Sequence, residues 1–487
     1  MTCVSLLANL GTMIRLLALA ALLASSAAPA QTPSAPLAPA TPAPPPAVPM
    51  IADPRAAALR DEALDHDHYA WDVVEGLTTE VGQRLAGTEA EGRAREWAVK
   101  RLTAMGFANV HVEPFALPVW TRGVESAEIL APFPQTLVVA ALGYSGSSGA
   151  QGVTGQIAYF DSVDALTAAP DSAVRGKIIF IDHHMMPAQD GSGYGQFGAP
   201  RRQGPTIASQ KGAIGIVVRS IGTDHHRGAH TGVQYFTDGA RPIPAGALSV
   251  PDAEQLVRIL ARGLPVTMKL VLVSEKHDGG QSGNVVAEVP GRDPAAPMLL
   301  VGGHLDSWDQ GTGAIDDGTG VAIVTAAAKH IMDSGRPRRT IRIVWFGAEE
   351  PGGFGGIAYQ QAHPGQKYAI AGESDFGADR VWRFGSSLLA SDPAAYATLA
   401  GTLAPLGITR FDKAEGGGTD VEPAIAAGAP WLSLYQDGTR YFDVHHTPDD
   451  TLDKVDPVQL RQNVAAWTAA LAILSGGIAE PKRPLRR

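Results

Sequence analysis

Residues 302–320 read GGHLDSWDQGTGAIDDGTG. One histidine, His304, and four aspartates, Asp306, Asp309, Asp316 and Asp317, stand there between the apolar runs PMLLV and VAIVTAAAKHIM. A strand-like run leading into a helix-like one puts these charges where the chain is about to be buried, and burying uncompensated carboxylates is costly. More groups of the same kind follow: Glu349 and Glu350 after IRIVWFGA, Asp375 after YAIAGES, and His445 and His446 after RYFDV. Imidazoles with carboxylates and no thiolate form the donor set of a hard-to-borderline divalent metal with open positions. Such ligands, one of them a shared carboxylate, can hold two ions about 3.5–4 Å apart. Asp316, between the HLD turn and the helix, is the natural bridge, and a helix N-terminus favours the charge of Asp316 and Asp317. In extended backbone i and i+2 share a face. Asp306 is therefore better used to orient His304 than as a ligand. In AEE one carboxylate should bind metal while its neighbour stays free as a base, because water activation needs a proton acceptor. The residue types alone do not say which, nor whether His445 or His446 is the ligand. Each short motif alone is as well explained by a turn or a solvated pair; their succession at strand ends is what carries weight.

The elements that must position these groups are legible as alternating patterns. From about 281, NVVAEVPG, PMLLVGGH, TIRIVWFGAEE, YAIAGESD and PWLSLYQ read as strands, and RYFDV is expected to end as one before His445. GTGVAIVTAAAKHIMDSG and DPVQLRQNVAAWTAALAILSGG read as helices with glycine stops. This predicts an α/β fold: a mixed, mainly parallel sheet with helices on both faces. In such sheets ligands bind beyond the carboxyl ends of the strands. Residues 51–120 read as helices broken at RLAGT, then a strand. Residues 121–280 carry short β-rich runs and two helix signals, an inserted α/β module. The expected organisation is a catalytic domain from 51–120 and 281–480 with the insert at 121–280.

The 487 residues exceed one compact core, and the formal net charge of −10 excludes nucleic acid and anionic membrane as partners. Arg15, the short apolar run Leu16–Ala24 and the Ala28-Pro29-Ala30 site predict a signal peptide over 1–30. A Pro/Ala-rich linker over 31–50 follows. Export to the periplasm or medium is expected, and no later run is a membrane span. The single cysteine, Cys3, falls in the expected signal peptide, which removes disulfides and a cysteine nucleophile from the mature chain.

GGHLDSWDQGTGAIDDGTG, AEEPGG, ESDFG and HHTPDDT resemble the co-catalytic zinc exopeptidases of aminopeptidase and glutamate carboxypeptidase type, above all their carboxypeptidase Q branch. RGKIIFID, QKGAIGIVVRSI, HTGVQYF and IPAGALSVPDAEQL are similar to that branch's protease-associated module. The resemblance implies two zinc ions: His304 and Asp375 on one, Glu350 and His446 on the other, and Asp316 bridging. Glu349 is then the general base, Asp306 orients His304, and the Asp316–Asp317 peptide is cis. It also implies hydrolysis of dipeptides or short peptides, and a homodimer. The aminopeptidase branch has a tyrosine shortly before the counterpart of Asp420; here EGGGTD supplies glycines, leaving Tyr435 and Tyr441 as candidates to contact the oxyanion. The glycines 416–418 instead let backbone N–H groups approach substrate, or form a flexible loop. Two alternatives use the same scaffold: a metal-free receptor and a single-metal glutaminyl cyclase. In the insert, His183 and His184, and His225, His226 and His230, lack an accompanying carboxylate set at strand ends, although His230 lies in the HTGVQYF stretch and is placed to line the cleft. Trp308 and Trp345 read as packing residues.

Overall fold

The computed structural model describes residues 50–412 and 416–479. The expected signal peptide and linker lie outside the described residues, Met50 excepted.

Helices of eight residues or more are α1 (Pro54–His66), α2 (Tyr69–Gly76), α3 (Glu89–Ala104), α4 (Val250–Leu260), α5 (Thr319–Ser334), α6 (Phe354–Ala362), α7 (Pro393–Leu403) and α8 (Pro457–Leu474). Local chemistry sets their ends. The Asp53 side chain accepts the Ala56 N–H at 2.8 Å and Pro54 occupies the first turn of α1. Asp456 and Pro457 open α8 in the same way. Gly335, at φ +139°, stops α5.

The main strands are β1 (Ala108–Ala131), β2 (Gln135–Leu137), β3 (Val139–Ala141), β4 (Val153–Phe160), β5 (Ile178–Ile181), β6 (Gly215–Arg219), β7 (Ala245–Leu248), β8 (Thr267–Val289), β9 (Met298–His304), β10 (Ile341–Phe346) and β11 (Tyr368–Glu373). They form one mixed eleven-stranded sheet in the order β11-β9-β10-β8-β4-β5-β6-β7-β3, with β1 against β8 and β2 against β1. The β11/β9/β10 block is parallel, as is the β4–β7 block, and β8 runs antiparallel to both.

Period-2 alternation explains why these runs are nearly all apolar. Val285, Ala287, Leu299, Val301, Ile341, Ile343 and Trp345 pack on the face covered by α1, α2, α5 and α8. Their neighbours Val286, Leu300, Val344 and Phe346 pack on the other face, with Tyr359 of α6. The fold class is the expected one. β12 (Val381–Ser386), β13 (Thr409–Arg410) and β14 (Leu432–Gln436) make a separate small sheet, tied to β11 by the Ala371–Trp431 bridge. The PWLSLYQ strand thus belongs to this second sheet.

β1 and β8 pair antiparallel along most of their length. Both strands run unbroken through the expected insert boundaries at 120/121 and 280/281. Bulges near Leu117 and Arg122 bend the ribbon there. No described helix is long and apolar enough to cross a membrane.

Candidate metal centre

Parallel register brings the chemistry to one edge. His304 is the last residue of β9 and pairs with Phe346, the last of β10, while Glu373 at the end of β11 pairs with Gly302. Glu349 and Glu350 follow β10 by a few residues, and Asp375 follows β11. Asp316 and Asp317 lie in the turn entering α5, joined by a cis peptide. His445 and His446 arrive differently from expectation. RYFDV is not a strand: Tyr441–Val444 is one helical turn, and His446 takes φ +60°.

Asp316 sits at the centre. Its Oδ1 is 3.0 Å from His304 Nε2, which is 3.5 Å from Asp375 Oδ1. Its Oδ2 is 3.2 Å from His446 Nε2, which is 3.0 Å from Glu350 Oε2. His445 Nε2 lies 3.5 Å from the same Asp316 oxygen, with its ring stacked 3.5 Å from that of His446. Three overlapping groups have metal-like spacing among the described residues: His304 with Asp316 and Glu350, His304 with Asp317 and Asp375, and Asp316 with His445 and His446. Asp316 Oδ2 and Glu350 Oε1 are buried without a hydrogen-bond donor. Buried carboxylate oxygens left in this state fit a bound cation, and imidazole plus carboxylate fits a borderline one.

Asp306 meets His304 through its backbone: His304 Nδ1 lies 2.9 Å from the Asp306 carbonyl and 3.7 Å from its carboxylate. That carboxylate accepts the N–H groups of Glu349 and Glu350 at 3.0 and 3.2 Å, so it fixes the AEE turn. Asp317 accepts the N–H groups of His304 and Gly320. A Cβ at Gly320 would stand 2.1 Å from Asp317 Oδ1 and 1.9 Å from the Ser374 carbonyl.

Burial and neighbouring charge displace the acids of the site. Burial pushes Asp306 up to about 7. Burial, opposed by His304 and reinforced by Asp375 and Glu350, holds Glu349 well above the usual carboxylate range. Burial acts to raise Asp316 too, but its close contacts with the His304 and His446 imidazoles prevail and hold it well below. His445 lies far down, through burial and then the charge of His446.

Two anchors escaped sequence reasoning. Arg84, fully buried, donates to the carbonyls of Leu305, Thr312 and Gly313 at 2.5, 2.6 and 2.7 Å. It ties both ends of the Asp-rich loop together. Asp450 accepts the N–H groups of Ile315 and Asp316 at 2.6 and 3.2 Å. The only local signals were an arginine in an apolar-flanked turn and the second acid of HTPDDT. Glu373 accepts the Asp420 N–H at 3.0 Å, and a Cβ at Gly418 would stand 2.1 Å from its carboxylate. The EGGGTD glycine at 418 thus leaves room for Glu373. Tyr441 stacks on Phe376 and lines the cleft, whereas Tyr435 packs against Phe411 and lines an adjoining cavity.

Trp345 is buried and donates to Thr325 Oγ1; Trp308 is buried 5.8 Å from the His446 ring. His230 is buried 3.0 Å from Asp224 Oδ1, its ring facing this partner and not the cleft. His184 and His226 are exposed, the first beside Asp182 and the second beside Asp449 and Asp224.

The family model described as peptidase family M28 matches residues 284–471. Carboxypeptidase Q of Bos taurus is 35% identical over 417 residues, covering 84% of this chain and 85% of that protein. The crystal structure of a peptidase M28 precursor from Shewanella amazonensis has a TM-score of 0.84 at 45% identity, covering 89% of this chain and 98% of that one. The zinc aminopeptidase BSAP of Bacillus subtilis shares the fold, with a TM-score of 0.60 at 20% identity over 83% of this chain and 94% of its own.

Proposed function

Because the chain belongs to peptidase family M28, we propose that it is an exported dinuclear zinc exopeptidase acting on dipeptides or short peptides. One observation carries this reading: the two oxygens of Asp316 face two different pairs, His304 with Asp375 and His446 with Glu350. We assign one zinc to each pair and Asp316 to both. His446 is preferred to His445 as ligand because it meets Glu350 as well as Asp316. Zinc bound there supplies Lewis acidity to the scissile carbonyl and brings the pKa of water toward neutrality.

The chain's own residues do the rest. Glu349 lines the cleft beside the ligands. Its carboxylate takes a proton from the attacking water and passes it to the leaving amine nitrogen. Asp306 acts as a positioning residue: by holding the Glu349 and Glu350 N–H groups it sends one side chain to the metal and leaves its neighbour for the proton. The N-terminal targeting pattern supports export. We read residues 121–280 as an inserted module bordering the cleft and, by family likeness, expect a homodimer.

A chelator series with zinc readdition and a dipeptide assay tests the reading. Zinc-loaded protein should hydrolyse dipeptides, chelated protein should not, and Glu349→Gln should retain metal while losing turnover. Normal hydrolysis by that variant removes the base assignment, and ammonia release from an N-terminal glutamine peptide in place of hydrolysis points to cyclase chemistry instead.

A further inference from the structure

Three of the four aspartates in residues 302–320 bind or brace the candidate ligands; Asp309 instead meets Arg122. Arg122 Nε donates to the Asp309 carboxylate, 3.0 Å from each oxygen. Arg122 stands at a bulge of β1, and its side chain is only 11% exposed. Its other nitrogens are engaged as well. Nη1 donates to Glu125 Oε1 at 2.6 Å and to the Ala141 carbonyl at 2.8 Å, and Nη2 donates to Thr231 Oγ1 at 3.1 Å. The guanidinium also lies over the Trp120 ring. One side chain thus joins the Asp-rich loop, 187 residues away in sequence, to Thr231, 109 residues away.

Thr231 is fully buried and lies in no helix or strand. Its hydroxyl donates to the same Ala141 carbonyl at 2.7 Å. Side-chain bonds of this kind, rather than a regular ladder, are what fix its backbone. That backbone reaches a candidate ligand: the Thr231 N–H donates to the His446 carbonyl at 3.0 Å, and the Thr231 carbonyl lies 3.4 Å from His446 Nδ1. A ligating imidazole needs its second nitrogen to donate, because that bond fixes the tautomer and the ring orientation. His446 has such an acceptor in Thr231. The Nδ1 of neighbouring His445 is buried with no partner.

We propose that Arg122 is a positioning residue for the metal centre. Tied to Asp309 and to the Thr231 hydroxyl, it sets the Thr231 carbonyl against His446 Nδ1, so that the 121–280 segment helps to hold the zinc assigned to Glu350 and His446. This rests on the proposed dinuclear zinc reading and deepens it. Arg122 acts through Thr231 and not on substrate. A mere strut between two parts of the chain would change stability alone, whereas a positioning role changes the affinity of one zinc and not of the other.

The test is zinc competition against a chromogenic chelator. Unaltered protein should take up two zinc ions. Thr231→Val, which removes the hydroxyl and keeps the side-chain shape, should weaken one of them about 10-fold, the lower end of what loss of outer support for a ligand costs. The other should keep its affinity. Arg122→Gln should weaken the same ion, and Thr231→Ser, which keeps the hydroxyl, should restore the unaltered affinities. Anomalous diffraction from Thr231→Val crystals at limiting zinc should show the lower occupancy beside Glu350 and His446. Unchanged affinities, equal weakening of both ions, or a loss confined to the His304 and Asp375 side overturns the inference. Where Arg122→Gln fails to fold, the Thr231→Val and Thr231→Ser pair decides. Unaltered protein that takes up no zinc overturns the metal reading and this inference together; two zinc ions without a selective loss overturn this inference alone.

Discussion

Arg84 and Asp450 act on the site without sharing its ligands. Arg84 satisfies two buried carbonyls and one half-buried one that flank the Asp-rich loop, and a buried acceptor left unmade costs about 1–3 kcal/mol. Arg84→Ala should lower unfolding free energy by about 3 kcal/mol or more in a denaturant titration, well beyond a surface substitution. A loss below about 0.5 kcal/mol would show that the loop holds itself. Asp450 holds the N–H of Asp316, the candidate bridging ligand. Asp450→Ala should reduce zinc affinity about 10- to 100-fold, as loss of outer support for a ligand commonly does, read by competition with a chromogenic chelator. The ligand candidates themselves were legible because they fall in motifs at strand ends. Arg84 and Asp450 were not, since their partners are backbone groups 221 to 229 and 134 to 135 residues away in sequence. No spacing rule records such contacts.

At the level of elements, the core strands were readable because both faces are buried, giving continuous apolar runs of strand length. RYFDV failed for the complementary reason. Five residues cannot distinguish a period of 2 from one of 3.6, and aromatic packing decides: Tyr441 on Phe376, Phe442 on Tyr194. The resulting helical turn, followed by the left-handed φ of His446, aims that imidazole at Asp316. β12 and α7 gave no expectation. β12 depends on β14 across the small sheet, and α7 is rich in alanine with little polar contrast. The start of α5 offers a test in which two principles oppose each other. Helix propensity favours alanine over glycine by about 1 kcal/mol, yet the Gly320 site has no room for a methyl group. Gly320→Ala should therefore destabilise the protein, with a fall in melting temperature and weaker zinc binding. A rise in melting temperature would mean that Asp317 and Ser374 yield easily.

For the molecule as a whole, the sheet concentrates acid at one edge, and in the proposed reading bound cations make that concentration tolerable. Removing them should cost stability beyond the loss of activity. Ligand linkage gives about 4 kcal/mol at a thousandfold excess over Kd, or several degrees of melting temperature. Differential scanning calorimetry with and without chelator should show that shift, reversed by zinc; an unchanged transition after demonstrated metal loss would contradict it. The part that residues 121–280 play in the site was only partly visible in the sequence. The β-rich texture of 121–280 suggested a module, but the contact of Thr231 with His446 depends on how the chain returns to the cleft.

The most direct test of the central claim is anomalous diffraction at the zinc edge from crystals of the zinc-loaded protein. Two peaks about 3.5–4 Å apart should flank the Asp316 carboxylate, one beside His304 and Asp375 and the other beside Glu350 and His446. A single peak, or two that do not share Asp316, would contradict it.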